Sequence, residues 1–196
     1  MIHPHTELRF ISPELGYGVF ATRFIPKGTI TWALDQLDRS FSPEQVSSME
    51  GLYREIIDKY CYRDRYGQYI LCWDHGRYVN HSYRSNCIST AYNYELAIRD
   101  IQEGEELTDD YGYLNLNEPF AAFPERYSKR RMVYPDDLLH FHRKWDKQLK
   151  ESYPFLPEVD QPLKAVLTMA EWERACRIAK GEEEMSSIIQ LYYKAG

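Results

Sequence analysis

The stretch "ELTDDYGY", residues 106–113, carries the most information about the fold of this 196-residue chain. Alternation along a strand puts Asp109 and Tyr111 on the same face, and Gly112 permits a sharp exit from the strand. Two interpretations follow from these residues alone. The segment is either an ordinary strand that ends in a turn, or a strand that holds the Tyr111 hydroxyl at its end and aims it into a cleft.

A second polar cluster, "YVNHSYRSNC", lies at residues 78–87. A catalytic pair of His81 and Cys87 is conceivable, but no flanking pattern places a base against a nucleophile. A metal site needs more ligands than one His and one Cys. Asn80 and Asn86 are hydrogen-bonding residues of the kind that hold irregular backbone in place. On its own, the cluster indicates a structured loop in which Cys87 only packs.

A third cluster, "LGYGVFA", covers residues 15–21, where Gly16 and Gly18 flank Tyr17 ahead of an apolar strand. Two glycines at this spacing suit a tight turn, or a backbone that a ligand approaches closely. The pattern lacks the third glycine of a dinucleotide fingerprint and the lysine of a P-loop. Taken alone, it favours the turn.

The composition is sufficient for a hydrophobic core, and the charge distribution indicates the type of binding partner. The chain is 43% hydrophobic and 15% aromatic, with 17 tyrosines. Residues 1–118 carry 11 basic and 18 acidic side chains, whereas residues 119–196 carry 13 and 12. An acidic front half disfavours nucleic acid and suits a basic protein or peptide.

The cysteines and the N-terminal residues predict an intracellular protein. None of the four cysteines forms a Cys-x-x-Cys pair, and four free thiols suit a reducing compartment. The first ten residues, "MIHPHTELRF", lack the regions of a signal peptide, and no apolar run reaches membrane-spanning length. We therefore expect a cytoplasmic protein, or a nuclear one in a eukaryote, with no membrane partner.

The front of the chain predicts short strands and the back predicts helices. Alternating residues indicate strands at Val19–Phe24 and Thr29–Trp32, with a glycine-rich turn ahead of the first. Residues 41–60 predict a helix that Ser42 caps. Three further helices are predicted at residues 135–152, 168–180 and 182–194.

The order and spacing of the three clusters are more specific than any one of them. Together they resemble the SET domain, the family of S-adenosylmethionine-dependent protein lysine methyltransferases, over about residues 5–116. The pieces that carry the resemblance are Gly16-Tyr17-Gly18, Arg77-Tyr78-Val79-Asn80-His81-Ser82 with Asn86, and Glu106-Leu107-Thr108-Asp109-Asp110-Tyr111-Gly112.

The resemblance implies a fold that is mainly β with some α. Its small sheets form a β-clip, and a pseudoknot brings the second and third clusters together. We expect a SET domain at residues 1–116 and a helical C-terminal extension at residues 117–196.

The resemblance also implies roles for individual residues around a bound S-adenosylmethionine. Tyr111 matches the catalytic tyrosine of the family, and Tyr60 occupies the place of a tyrosine in the substrate-lysine channel. The expected cofactor-binding residues are Gly16, Tyr17, Gly18, Arg77, Asn80 and His81.

The chain departs from the family pattern at two places in these motifs. Tyr83 and Ser85 stand where many members have Cys and Pro, and the sequence provides no functional account of them. Asp109 stands where Phe or Tyr often influences how many methyl groups are added. Two interpretations of Asp109 stay open: it lines the channel and hydrogen-bonds an amine or water, or it turns away into solvent.

A third departure lies after the last motif. Many relatives have a zinc-binding cysteine cluster there, and this chain has no cysteine at the corresponding residues 117–139. We expect no metal site and an aromatic cover over the cofactor instead, made by Phe120, Phe123 and Tyr127. The alternative is that these aromatic residues are core between the two halves of the chain.

The function that the resemblance implies is methyl transfer to a deprotonated lysine amine in an aromatic channel. The substrate would be a protein or peptide with an accessible lysine, and a basic, histone-like protein is one option. Two alternatives stay open: a non-catalytic module of the same fold that binds a basic peptide, and a methyltransferase that acts on something other than a protein lysine.

Overall fold

The computed structural model describes residues 1–194, in which twelve short strands form four small sheets. The sheet orders are β1-β2-β10-β7, β3-β9-β8, β4-β6-β5 and β11-β12. The strands are β1 (Thr6–Ser12), β2 (Gly16–Ala21), β3 (Ile30–Ala33), β4 (Arg39–Phe41), β5 (Cys61–Arg63), β6 (Tyr69–Leu71), β7 (Asn80–His81), β8 (Cys87–Ser89), β9 (Tyr94–Ala97), β10 (Glu106–Asp109), β11 (Phe120–Ala121) and β12 (Met132–Val133).

The four-stranded sheet brings the three sequence clusters side by side. Strand β10 pairs antiparallel with β2 on one side, with Leu107 opposite Val19. On its other side it pairs parallel with β7, with Asp109 opposite His81. The prediction that the second and third clusters meet is confirmed. The glycine-rich cluster lies inside β2, and the turn occupies residues 13–15, so the predicted turn was placed too late in the chain.

The helices predicted at residues 135–152 and 168–180 are confirmed, whereas those predicted at residues 41–60 and 182–194 differ from the structure. The predicted helix at residues 41–60 is two helices, because Gly51 has a φ of +56° that no α-helix contains. The predicted helix at residues 182–194 is a single 3-10 turn. The α-helices are α1 (Pro43–Ser47), α2 (Leu52–Tyr60), α3 (Asp137–Lys150) and α4 (Met169–Ala179), and the 3-10 helices are His75–Tyr78, Tyr111–Tyr113, Tyr153–Glu158, Pro162–Val166 and Ile188–Leu191.

Sequence capping signals explain where the correctly predicted helices begin. Ser42 and Gln45 form a reciprocal capping box at α1, and Thr168 and Glu171 form another at α4. None of the helices in residues 1–194 is long and apolar enough to cross a membrane.

The front and back halves share one hydrophobic core. The Tyr113 ring packs edge-on against Trp145 of α3 with 5.2 Å between ring centroids, and the hydroxyl groups of Tyr94 and Tyr153 are 2.9 Å apart. The helical extension is therefore part of the same packed unit as the sheets. Buried members of this core are Ile30, Ala33, Ile88, Tyr94, Leu96 and Tyr113 from the front, and Leu138, Trp145, Leu149, Tyr153, Leu156, Leu163, Ala175, Ile178, Met185 and Ile188 from the back.

Candidate active site

Tyr111 is fixed at the end of β10 by two hydrogen bonds. Its hydroxyl donates to the Val79 carbonyl oxygen at 2.8 Å, and its backbone N–H donates to His81 Nδ1 at 3.1 Å. Burial raises the pKa of the Tyr111 hydroxyl above its usual range, so the hydroxyl keeps its proton at neutral pH. The side chain is therefore an oriented, neutral hydroxyl and not a base.

The turn that carries Tyr111 is stabilised by its neighbours in the same motif. The Asp110 carboxylate accepts a hydrogen bond from the Gly112 N–H at 3.1 Å, and the Tyr113 hydroxyl accepts one from the Asp110 N–H at 3.2 Å. These bonds cap the 3-10 helix Tyr111–Tyr113 at its first residue. The capping residue thus sets the direction in which the chain leaves β10.

Asn86 ties the loop of the second cluster to β10. Its Nδ2 donates to the Glu106 carbonyl oxygen at 2.8 Å, and its Oδ1 accepts from the Thr108 N–H at 2.8 Å. The side chain is only 1% exposed. The side chain therefore bonds one backbone carbonyl and one backbone N–H of β10. A side-chain amide has both the donor and the acceptor that these two groups need.

Asn80 links the glycine-rich strand to the second cluster. Its Nδ2 donates to the Tyr17 carbonyl oxygen at 3.0 Å and to Glu106 Oε1 at 2.7 Å. Both amide protons are thereby used, and none of residues 1–194 donates to Oδ1, which is left to accept from a ligand. A Cβ on Gly18 would meet the ends of the Glu106, Ile11 and Asn80 side chains, so a larger residue there would displace the Asn80 and Glu106 groups from their hydrogen bond.

His81 is neutral in the folded protein. Burial lowers the pKa of its ring to about 4. Since Nδ1 accepts from the Tyr111 N–H, the proton of the neutral ring is on Nε2. Nε2 is buried and has no hydrogen-bond partner among residues 1–194. His81 therefore supports Tyr111 as a hydrogen-bond acceptor and does not act as a base.

A cavity of about 710 Å³ opens beside Tyr111. Its lining includes Tyr60, Val79, Asp109, Tyr111 and Phe120, but not Gly16, Tyr17, Gly18, Asn80 or His81. Tyr111 belongs to both groups, because it lines the cavity and is bonded to His81. The site therefore has two sides that meet at the Tyr111 ring.

Tyr60 and Arg77 belong to a row of aromatic contacts between these two sides. The Tyr60 and Tyr78 rings lie 5.2 Å apart, and the Tyr78 and Tyr17 rings lie 6.1 Å apart. The Arg77 guanidinium lies over the Tyr78 ring at 5.2 Å and donates to the carbonyl oxygens of Cys72 and Trp73. Arg77 thus holds these rings in place, and both Tyr60 and Arg77 line the cavity.

Asp109 lines the cavity and does not turn into solvent. It is 6% exposed, and it accepts a hydrogen bond from the Tyr113 hydroxyl at 3.0 Å. Glu95, which is also buried and in the cavity wall, is its acidic neighbour. Burial and the nearby Glu95 raise the pKa of Asp109 well above its usual range.

Glu95 was missed at the sequence level, although a signal was available. It lies in β9, "YELA", and all four residues of that strand are buried. A charged residue in a strand buried on both faces needs a partner. The sequence gives no way to identify Asp109 as its neighbour, because their proximity depends on how the two small sheets pack.

The three aromatic residues expected to cover the cofactor differ in position. Phe120 lies 6.0 Å from the His81 ring and 5.9 Å from the Tyr111 ring, between centroids. Phe123 is 58% exposed and Tyr127 is 69% exposed. The alternative that they form core between the halves is therefore wrong, and only Phe120 lies against the site residues.

The non-consensus Tyr83 has a structural role that its sequence context did not reveal. Its ring lies edge-on to His81 at 4.4 Å between centroids, and the Arg130 guanidinium lies over it at 4.4 Å. Its backbone N–H donates to Glu125 at 3.0 Å. Tyr83 thus connects the second cluster to the C-terminal extension. Cys87 is fully packed, as predicted, and burial raises the pKa of its thiol.

Comparison with known proteins gives three findings. The SET domain family model matches residues 16–112, about half of the chain. The zebrafish (Danio rerio) N-lysine methyltransferase KMT5A-A is 34% identical over 122 residues, which cover 54% of this chain and 34% of the zebrafish protein. A solved structure of a Plasmodium falciparum protein, described as a candidate histone methyltransferase, has 23% identity and a TM-score of 0.42, with 56% of this chain and 95% of that chain covered.

This chain therefore spans about one third of the length of the zebrafish relative. The matched residues begin at Gly16 and end at Gly112, so they contain β2, β7 and β10 of the four-stranded sheet and, just after β10, Tyr111. The resemblance inferred from the sequence is confirmed, and the chain belongs to the SET-domain family.

Proposed function

We propose that this protein is an S-adenosylmethionine-dependent protein-lysine N-methyltransferase. The observation that carries the proposal is the position of Tyr111. Its neutral hydroxyl is held by Val79 at the point where the cavity meets the Asn80 and His81 cluster. A hydroxyl at such a junction can orient an amine on one side against a reactive group on the other.

The residues on the Asn80 side fit S-adenosylmethionine. The Asn80 Oδ1 and the backbone next to Gly18, which has no side chain to block an approaching ligand, suit the polar amino-acid end of the cofactor. The buried Nε2 of His81 also lacks a partner among residues 1–194. The rings of Tyr17, Tyr111 and Phe120 favour a cation nearby. When bound, the cofactor supplies a methyl group on a positively charged sulfur.

The residues on the cavity side suit a lysine side chain. The rings of Tyr60, Tyr111 and Phe120 line one part of the cavity, and burial among them would favour the neutral amine, because burial lowers the pKa of a lysine. The Tyr111 hydroxyl donates its proton to Val79, so its oxygen is free to accept a hydrogen bond from the amine and weak contacts from the methyl group. These residues align the amine, exclude water and need no covalent intermediate.

The substrate class and location are part of the same proposal. The acidic front half of the chain supports a basic protein or peptide as the substrate. The four unpaired cysteines support an intracellular location, cytoplasmic or nuclear. Labelled S-adenosylmethionine with histones or whole-cell lysate as acceptors tests the activity. Peptide binding without label transfer or cofactor binding would favour a non-catalytic module instead.

Phe120 is expected to cover the cofactor. Phe120→Ala should raise the dissociation constant for S-adenosylmethionine about fivefold to tenfold, because an aromatic ring near a cation is worth on the order of 1 kcal/mol. Isothermal titration calorimetry measures this change. Phe24→Ala is the matched control, since Phe24 is also exposed and lies outside the site.

Wild-type affinity in Phe120→Ala would contradict this role. Phe123→Ala in the same experiment tests the second residue expected in the cover. Point variants are preferable to deletion of residues 119–196, because the deletion would remove Leu138 and Trp145 from the shared core.

Asp109 is expected to influence the number of methyl groups added. Asp109→Phe removes a carboxyl group that can accept a hydrogen bond from the amine in the cavity wall beside Tyr111. A methylated amine has fewer N–H groups than an unmethylated one, so it loses fewer hydrogen bonds through this substitution. We expect the products to shift towards di- and trimethyllysine, measured by mass spectrometry with histones as acceptors. Asp109→Asn keeps the size of the side chain and is the control. A product ratio for Asp109→Phe equal to that of the wild type would exclude this role.

A further inference from the structure

Arg130 bridges two buried carboxylates. It lies in the segment between β11 and β12, with its side chain 19% exposed. Its NH1 is 2.5 Å from Asp110 Oδ2, and its NH2 is 2.5 Å from Asp137 Oδ2. The side chains of these partners are 1% and 5% exposed. Two buried negative charges thus depend on one guanidinium, and removal of that cation leaves both uncompensated.

The faces of the Arg130 guanidinium are also occupied. It lies 4.4 Å from the Tyr83 ring and 4.4 Å from the Phe141 ring, measured to the ring centroids. A planar cation held by two carboxylates and two rings has little freedom to move. Lysine cannot reproduce this arrangement, because its ammonium group has neither the fork nor the plane.

Two short routes lead from Arg130 to the active site. The first runs through Asp110, whose Oδ1 accepts from the Gly112 N–H and so caps the turn that carries Tyr111. The second runs through Tyr83, whose ring lies edge-on against His81. The routes meet where the Tyr111 N–H donates to His81 Nδ1.

The charge of Arg130 also supports the neutral state of His81. The Tyr111 N–H requires an unprotonated Nδ1, so protonation of the ring would remove that hydrogen bond. Arg130 lowers the pKa of His81, and Glu125 and Asp137 raise it. The charged groups that face the ring are Asp110 at 4.0 Å on the turn after β10, Glu125 and Arg130 between β11 and β12, and Asp137 at the start of α3.

We propose that Arg130 is a positioning residue for methyl transfer, because its guanidinium fixes Asp110 and Tyr83 and, through them, the Tyr111 turn and the His81 ring. The expected effect on the turnover rate rests on the proposed methyltransferase function. In this proposal the C-terminal extension supports the active site through Arg130, and the non-consensus Tyr83 transmits that support to the His81 ring.

The first test compares Arg130→Met with Arg131→Met, using labelled S-adenosylmethionine and a histone mixture. Arg131 is the matched control, because it is exposed and its side chain bonds only the backbone of Ser128 and Arg130. We expect the turnover rate of Arg130→Met at saturating substrates to fall about tenfold to a hundredfold, the scale of a misaligned site. Arg131→Met should stay within about twofold of the wild type.

The titration of the His81 ring separates positioning from general stabilisation. Burial is the main reason that the pKa of His81 is lowered to about 4, and the Arg130 cation lowers it further. In Arg130→Met the pKa of His81 should therefore rise, while burial keeps it below its ordinary value. Arg130→Lys keeps the charge without the bridge, so its turnover should fall while the pKa of His81 stays near that of the wild type.

NMR titration of the His81 ring, without cofactor, tests the same coupling independently of activity. If the wild type transfers no methyl group, the proposed function has failed, and this titration still decides whether Arg130 controls His81. A folded Arg130→Met with the turnover and the His81 titration of Arg131→Met would overturn the proposal. Should Arg130→Met not fold, Arg130→Lys decides, and wild-type turnover in that variant would overturn it.

Discussion

Tyr111→Phe is expected to reduce the rate of methyl transfer by at least about a hundredfold, the usual scale for loss of one preorganised polar group at a reacting centre. The substitution removes only the hydroxyl. The ring would keep its contacts with His81 and Phe120, and the backbone N–H would keep its bond to His81 Nδ1. Cofactor affinity and fold should therefore change little, and the loss should be confined to the turnover rate.

The measurement is label transfer from S-adenosylmethionine to histones under saturating conditions, with calorimetry of cofactor binding beside it. Tyr53→Phe is the matched control, because Tyr53 is 74% exposed and lies on α2 away from Tyr111. A turnover rate of Tyr111→Phe within about threefold of the wild type would rule out Tyr111 as the catalytic residue.

Asn86→Ala is expected to have the largest effect on stability. The Glu106 carbonyl oxygen and the Thr108 N–H each lose their bond to the Asn86 side chain. Leaving a buried polar group unsatisfied costs about 1–3 kcal/mol, so the free energy of unfolding should fall by about 2–4 kcal/mol. Because β10 carries the turn of Tyr111, the variant should also lose activity as it unfolds.

Urea denaturation of Asn86→Ala measures this loss, with Gln102→Ala as the control. Gln102 is exposed and its side chain has no hydrogen bond to residues 1–194. A decrease below about 1 kcal/mol in Asn86→Ala would show that β10 is held by its strand pairings alone.

The sequence predicted the parts of the site that depend on local motifs. Asn80, His81 and Tyr111 occur in short patterns whose order is specific, and the structure places β7 and β10 side by side. The capping boxes at Ser42 and Thr168 were readable because capping is a matter of residues three apart. Such features are decided within a few residues of the chain.

The sequence could not predict contacts that depend on packing between distant segments. Asp110, Arg130 and Asp137 meet because α3 and the β11–β12 segment pack against the turn of Tyr111. Nothing in the spacing of these residues distinguishes them from the other charged residues of the chain. The same holds for Asp109, whose two interpretations were resolved only by its burial in the cavity wall.

The break between α1 and α2 shows that a continuous helical pattern of apolar residues does not ensure a continuous helix. The apolar residues from Val46 to Tyr60 follow one helical period, but Gly51 has a φ of +56° and interrupts the helix. A single glycine is compatible with a helix interior, so the pattern alone favours continuity. The backbone conformation at this one residue decided the outcome.

The central claim is most directly tested by incubating the wild-type protein with S-adenosylmethionine labelled in its methyl group and a histone mixture. After complete hydrolysis of the acceptor, chromatography identifies the labelled amino acid, with Tyr111→Phe as the blank. We predict labelled methyllysine from the wild type and at least about a hundredfold less from the blank. Calorimetric binding of the cofactor should accompany it. No labelled methyllysine from histones or whole-cell lysate, together with no cofactor binding, would contradict the proposed function.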